Sequence, residues 1–336
     1  MKSGKVSEAV LKRSVIKTVN KQKNEWMLSK AGVGCDAGLF AVPETSQVLA
    51  SACTSLAGNE EGLGGLAVVR ACNSLAATGA LPLIVTVQLI LPETMEESGL
   101  KQTMQEVLEA CAECNVALSQ GHTQVSSFVT ERVVSVTAVG TAPEAQMLSE
   151  TVYGSDLVMV KTAGLAGAAL LAKHYRENLH ERYTYSFIDR AVARQPECSV
   201  LSECNELWKL GVRHMHDVAE GGVFGAVWEF AERLGAGMEL DLKKIPILQE
   251  TVEISEYFDI NPYQMKGDGA LLFLSLESEA VIAALAEKGI GAKVIGKVTD
   301  SNDRVLINEE EVRFLEPNRV DEYEKARQTK RMVTGE

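Results

Sequence analysis

The residues best suited to chemistry in this chain form the stretch His216-Asp217-Val218-Ala219-Glu220-Gly221-Gly222, which runs straight into the helical pattern Val223 to Phe230. An apolar run closed by an acid, then paired glycines, then a helix start brings backbone N–H groups close to an anion such as phosphate. Further on, Lys266-Gly267-Asp268-Gly269 makes a turn that feeds the apolar strand Ala270 to Phe273, again with a carboxylate between glycines. Other reactive residue types compete with these. Cys111 and Cys114 have C-x-x-C spacing, yet both sulfurs fall on the apolar stripe of a helix, where core packing outweighs redox or metal work. His214 and His216 alternate along one face of a strand, as a metal pair would and as two hydrogen-bonded histidines also would.

The elements that must position these groups alternate between strand and helix. After a basic N-terminal segment come two short strands, Gly38 to Val42 and Gln47 to Ala52. A helix from Gly62 to Thr78 follows, with Arg70, Asn73 and Ser74 sharing one polar patch at its edge. Leu83 to Leu91 reads as a buried strand, and Thr94 to Glu97 as a capping box before a helix ending near Asn115. Val116 to Ser119 and Arg132 to Gly140 are strands, with Gly121-His122-Thr123-Gln124 in the loop between them. The second half repeats the pattern: strand Asp156 to Lys161, helices Ala168 to Tyr175 and Ser199 to Leu210, strand Val212 to His216, the glycine motif and its helix. Strand Ala270 to Leu276, a helix from Ser278, and a final strand Val294 to Val298 complete it. The fold class is α/β (mixed α+β), with an expected boundary near Glu150: one domain over residues 1–150, the other over 151–330.

Composition narrows the function classes. A chain of 336 residues, 46% hydrophobic and 24% charged, has room for two soluble domains with their own cores. A net charge of -13 argues against nucleic acid as a partner. Residues 1–30 depart from that balance, with eight Lys and Arg against two Glu, as a solvated basic helix or a phosphate-covering arm would. Apolar runs such as Leu81 to Leu91 are too short for a membrane span. Met1-Lys2-Ser3-Gly4-Lys5 leads into no signal-type core, so a cytoplasmic location is expected. The odd count of seven cysteines suits reduced thiols.

Six segments in order carry a resemblance: Gly34-Cys35-Asp36-Ala37-Gly38, Gly64-Gly65-Leu66 with Asn73-Ser74-Leu75-Ala76-Ala77-Thr78-Gly79-Ala80-Leu81-Pro82, Gly121-His122-Thr123-Gln124-Val125, Gly154-Ser155-Asp156, the glycine motif, and Lys266 to Phe273. Together they make the chain similar to the superfamily of aminoimidazole ribonucleotide (AIR) synthases, HypE-type hydrogenase maturation proteins, selenophosphate synthases and thiamine monophosphate kinases. The resemblance implies two α/β domains with mixed sheets, the first pairing with its copy in a homodimer. It also implies ATP-dependent phosphorylation of an amide or carbamoyl-type oxygen, with Mg²⁺ on aspartates of the first domain.

The resemblance assigns Asp217 and Asp268 as catalytic, Lys5, Asn73, Thr123, Gly221 and Gly222 as nucleotide contacts, and Asp36 as the remaining metal ligand. The other expected carboxylates are replaced: Cys35 beside Asp36, Cys53 after the second strand, Ser74 in the helix and His122 in the loop. Cys35, Cys53, His122 and Asp36 around one cavity would suit Zn²⁺ or another borderline metal. The hydrogenase maturation branch carries its acceptor cysteine at the extreme C-terminus, whereas this sequence ends Thr334-Gly335-Glu336, so that thiol chemistry is not expected of it unaided. The expected function is a nucleotide- or phosphate-ligand enzyme nearest that branch, with a possible maturation-protein partner. The alternative is a non-catalytic or metal-binding paralogue that kept the dimeric cleft as a scaffold.

Overall fold

The structure, a computed structural model, describes residues 6–21, 25–143, 153–317 and 320–334. Lys5, and the expected linker beyond Pro143, lie outside the described residues. The chain opens with α1 (Glu8–Leu11), which passes through a π turn (Lys12–Ile16) into α2 (Lys17–Val19). Then come β1 (Gly38–Ala41), β2 (Val48–Ala57), α3 (Leu63–Ala77), β3 (Leu81–Leu91), α4 (Glu97–Glu113), β4 (Ala117–Val125) and β5 (Val133–Ala142). Residues 25–29 and 36–143 make one compact unit; 6–21, 30–35 and the described residues from 153 onward make the other.

In the first unit the strands run in the order β1-β2-β5-β3-β4, antiparallel except for the parallel pair β3 and β4. Period-2 alternation sends Ala50, Ala52 and Leu56, Val134, Val136 and Ala138, and Val85, Val87 and Leu89 into the core on the helix side. Two glycines let α4 lie close to α3: a Cβ on Gly64 would stand 3.1 Å from the Thr103 carbonyl oxygen, and one on Gly65 3.2 Å from that of Glu106. The other face of the sheet is open and shows Ser51, Cys53 and Ser55, Ser135 and Thr137, Thr86 and Gln88. No residue in the five strands is Asp, Glu, Lys or Arg, in a chain that is 24% charged. Edge strands commonly carry Lys or Pro to deter pairing; β4 carries neither.

Two local expectations change here. Gly121 to Gln124 lie inside β4 rather than in a loop, because the parallel ladder to β3 continues through Val87↔Gly121 and Leu89↔Thr123. A Cβ at Gly121 would stand 3.0 Å from the Val87 carbonyl oxygen, so this glycine serves a close strand contact. The expected Thr94 capping box is absent, since α4 starts after Glu96 without a side-chain cap.

The second unit contains β6 (Asp156–Val160), α5 (Leu165–His174), α6 (Arg176–His180), α7 (Tyr185–Val192), α8 (Leu201–Lys209), β7 (Met215–Val218), α9 (Gly222–Leu234) and β8 (Gly237–Asp241). It continues with α10 (Gln249–Phe258), β9 (Ala270–Ser275), α11 (Ser278–Glu287), β10 (Ala292–Thr299), β11 (Arg304–Asn308), β12 (Glu311–Phe314) and α12 (Glu322–Thr334). The sheet order is β12-β11-β8-β10-β6-β9-β7, and β8 with β11 is its parallel pair. β6, β7 and β9 are buried at nearly every position, as their unbroken apolar runs require. Among the described residues no helix is long and apolar enough to cross a membrane.

Residues 6–21 and 30–35 group with this second unit, whereas the whole of 1–150 was expected in the first domain. The cause is a polar anchor on α9. Glu8 accepts the Trp228 indole N–H at 3.1 Å, Lys12 pairs with both Glu8 and Glu232, and Arg304 reaches Glu232 at 2.7 Å while lying 4.1 Å over the Trp228 ring. Hydrogen bonding to Glu232 and Glu8 holds the Lys12 ammonium above its ordinary range. Because Lys12 is well exposed, Lys12→Ala should lower unfolding free energy by no more than about 1 kcal/mol. It should nevertheless speed proteolytic release of residues 6–21; urea titration and timed trypsin digestion measure the two effects.

Candidate active site

Strand β7 lies at the sheet edge and pairs antiparallel with β9 through Asp217↔Leu271 and Val218↔Ala270. That register brings the loop after β7 and the turn before β9 to one end of the sheet. Asp217 is 7% exposed and Asp268 1%, so the two candidate acids share this end and are both largely withdrawn from water. The Ala219 carbonyl joins the segments by accepting the N–H of Gly222 at 3.2 Å and of Gly267 at 3.0 Å. His216 is buried too; it stacks on Phe230 at 5.4 Å and stands 3.9 Å from the Glu229 carboxylate, which gives it a packing partner rather than a second histidine.

The paired glycines have a different partner from the one expected. Gly221, at φ 89°, caps α9, and its N–H donates to the Asp321 carboxylate at 2.6 Å. A Cβ on Gly222, at φ 61°, would lie 2.6 Å from the Tyr263 carbonyl oxygen and 2.7 Å from that of Met265. The backbone of Gly221 and Gly222 is thus engaged within its own unit. The anion at this helix start is the chain's own, and the close backbone approach is between two loops of the same unit.

Asp321 is 2% exposed and accepts two further N–H groups, from Lys266 at 3.1 Å and Tyr323 at 2.9 Å. Burial pushes its carboxyl above the usual range, opposed by the Lys266 charge and the N–H groups of Gly221 and Tyr323. The buried Lys266 ammonium lies 3.0 Å from Glu324 and 4.7 Å over the Tyr323 ring. Burial acts to raise the Glu324 carboxyl, but Lys266 and Arg327 outweigh it and hold that group low. An analogous device closes α3 in the first unit. There Glu106 accepts the N–H of Gly62 at 2.8 Å and of Gly64 at 3.1 Å, beside the buried Arg132 guanidinium at 3.7 Å.

Asn73, Thr123, Cys53, His122 and Asp36 are dispersed within the first unit, and Cys35 groups with the second. Asn73 is 1% exposed and Arg70 is buried, so the expected polar edge of α3 is internal. His122 and Thr123 are neighbours in β4 and project to opposite faces. Thr123 is opposite Leu89 on the helix side, and His122 opposite Gln88 on the open side. Cys53 is also on the open face, but β5 and β3 separate β2 from β4, which puts Cys53 roughly 14 Å from His122 at about 4.8 Å per strand.

One zinc ion needs all its ligands within about 2.0–2.3 Å. Cys35, Cys53, His122 and Asp36 therefore do not form the expected site: Cys53 and His122 cannot share an ion, and the Cys35 thiol turns to the Lys30 carbonyl at 3.9 Å. The open face offers no carboxylate, and Asp36 is the single aspartate between residues 25 and 143.

Cys72, Cys111 and Cys114 are buried between α3 and α4, as the packing account of the C-x-x-C pair requires. Burial pushes the Cys111 thiol up to about 11, and a hydrogen bond with Cys114 together with burial raises Cys72. Such thiols are poor nucleophiles.

The sequence reading missed Asp321 and Glu106. Asp321-Glu322-Tyr323-Glu324 does carry the D-x-x-E mark of a helix start. Its reach back to Gly221, 100 residues earlier, has no local signature.

Residues 34–142 match the family described as AIR synthase related protein, N-terminal domain, and residues 153–308 match AIR synthase related protein, C-terminal domain. A carbamoyl dehydratase HypE of Cupriavidus necator is 26% identical over 294 residues, which cover 82% of this chain and 79% of that protein. The fold is shared with the crystal structure of a HypE-HypF complex, at a TM-score of 0.70 and 19% identity over 92% of this chain and 99% of the other. It is shared equally with hydrogenase maturation protein HypE in complex with ATP, at a TM-score of 0.69 and 17% identity over 96% and 97%. With both domain types matched in order on a fold of two mixed α/β sheets, the chain belongs to the AIR synthase related protein family.

Proposed function

We propose that this protein is an ATP-dependent activating enzyme that phosphorylates an amide or carbamoyl-type oxygen, in hydrogenase or related metallocofactor maturation in the cytoplasm. The observation that carries the proposal is the likeness to a carbamoyl dehydratase over 82% of the chain. The buried pair Asp217 and Asp268 at one end of the second sheet supports it. Transfer of the γ-phosphoryl group to the carbamoyl oxygen makes that oxygen a leaving group. Loss of phosphate and of both amide protons then leaves a nitrile, with ADP as coproduct. Phosphoryl transfer depends mainly on positioning and charge, and the two carboxylates are suited to orient the amide and take its protons. Of the expected nucleotide contacts, exposed Thr123 is available on β4, and Lys5 would extend from the basic arm.

The open face of the first sheet is the proposed seat of a second copy. Its strands carry no Asp, Glu, Lys or Arg in a chain of net charge -13, so two copies repel least when these faces meet. A maturation protein is the proposed further partner, as HypF is for HypE in the solved complex.

Calorimetric titration with ATP and an ADP-release assay on a carbamoylated peptide, each with Mg²⁺ and with EDTA, test the activity. ATP binding and ADP release are expected, and absence of both overturns the proposal. Asp217→Asn and Asp268→Asn should each slow ADP release at least about 100-fold without lowering the melting temperature appreciably.

A further inference from the structure

We propose that Asp321 is the positioning residue of the C-terminal half of this site, an internal anion that ties the Gly221 loop to the Lys266 turn and so fixes the spacing between Asp217 and Asp268. The proposal rests on the roles assigned above to those two acids. An aspartate that only capped α12 would need the Tyr323 N–H alone, at 2.9 Å. Asp321 goes further: Oδ2 accepts from Gly221 at 2.6 Å, and Oδ1 is shared between Tyr323 and Lys266, the latter at 3.1 Å. Gly221 follows Asp217 by four residues, and Lys266 precedes Asp268 by two.

The Ala219 carbonyl binds the same two segments through Gly222 and Gly267. The loops are thus joined twice, once by a carboxylate and once by a carbonyl. The Lys266 side chain adds a third tie through Glu324 and the Tyr323 ring, both on α12. Asp321 is almost fully buried, so water has no ready access to replace it. Without the carboxylate, two backbone donors at the site lose their acceptor.

The test uses the full chain as Asp321→Asn, which keeps one acceptor oxygen, and Asp321→Ala, which keeps none. Hydrogen exchange of peptides spanning 219–224 and 264–270 should accelerate about 30-fold in Asp321→Asn and further in Asp321→Ala, while a peptide within 63–77 is unchanged. For ADP release, kcat should fall about tenfold in Asp321→Asn and about 100-fold in Asp321→Ala, with KM for ATP changed less than twofold. Losses in kcat that follow the number of acceptor atoms kept, at constant KM, are not expected of a residue that only stabilises the fold. Acceleration confined to the first turn of α12, or kcat equal to wild type, overturns the proposal. If the wild-type protein itself releases no ADP, the activity proposed above has failed, and the exchange measurement alone then decides whether Asp321 ties the loops.

Discussion

Alanine at Gly222 should lower the unfolding free energy by about 2–5 kcal/mol. Two costs combine. At φ 61° an alanine sits in the left-handed region, at about 1–2 kcal/mol. Its Cβ would also stand 2.6 Å from the Tyr263 carbonyl oxygen and 2.7 Å from that of Met265. Both are backbone atoms, in a segment tied down by its own turn and by Asp321, so they cannot swing aside as a flexible side chain would; relief by backbone shift costs about 1–3 kcal/mol.

Gly235→Ala is the matched control. It sits at φ 62° at the other end of α9 with nothing within 4 Å of the added atom, so it should lose only the conformational part. Urea or thermal unfolding of the two variants gives the contact contribution by difference. Equal losses would mean that the 263–265 backbone yields freely. The comparison also separates two accounts of the glycine pair. A glycine kept small for a bound phosphate would, as alanine, keep its stability and lose ligand affinity, whereas one kept small for a neighbouring loop loses stability first.

That contrast shows where the sequence was readable. The element types and order were largely legible: the predicted helix Gly62 to Thr78 matches α3 at Leu63–Ala77, and the predicted strand Ala270 to Leu276 matches β9 at Ala270–Ser275. In these segments a single period, 3.6 or 2, dominates the apolar pattern. Prediction missed β8, β11 and β12, so Val294 to Val298 was not the last strand: β8 and β11 pair with each other from far apart in the chain, and β12 is a short edge strand that pairs with β11 alone. β4 was cut short for a related reason, since Gly121 reads as a loop residue until its parallel ladder is known.

The site was legible as a pair of segments and not as a geometry. Asp217 and Asp268 come together because β7 and β9 pair. The tie of the Gly221 N–H to a carboxylate 100 residues away could not be read from the sequence. The zinc set failed because residues that align with one family's metal ligands can still be three strands apart. Spacing in sequence carries no information about strand order.

Glutamate at Thr137 should turn the proposed dimer into a monomer. Thr137 sits mid-sheet on the open face, flanked by Cys53 on β2 and Thr86 on β3, in strands that carry no charge at all. If that face meets its own copy across a twofold axis, one substitution buries two carboxylates near each other. Desolvating each costs several kcal/mol without a cation to offset it, and none is available in these strands. A penalty of only about 4 kcal/mol already weakens the dissociation constant about 1,000-fold.

Leu108→Glu is the control, since Leu108 is 49% exposed on α4, in the layer on the other side of the sheet. It adds the same charge to the same unit and should leave the dimer intact. Sedimentation velocity at micromolar protein reads both variants, and a wild type that sediments as a monomer, or a Thr137→Glu protein that still dimerises, removes the second copy from this face. Thr137 carries none of the groups assigned to phosphoryl transfer, so a Thr137→Glu protein that keeps its fold yet loses ADP release, beside a Leu108→Glu protein that keeps both, would place the nucleotide where two copies meet.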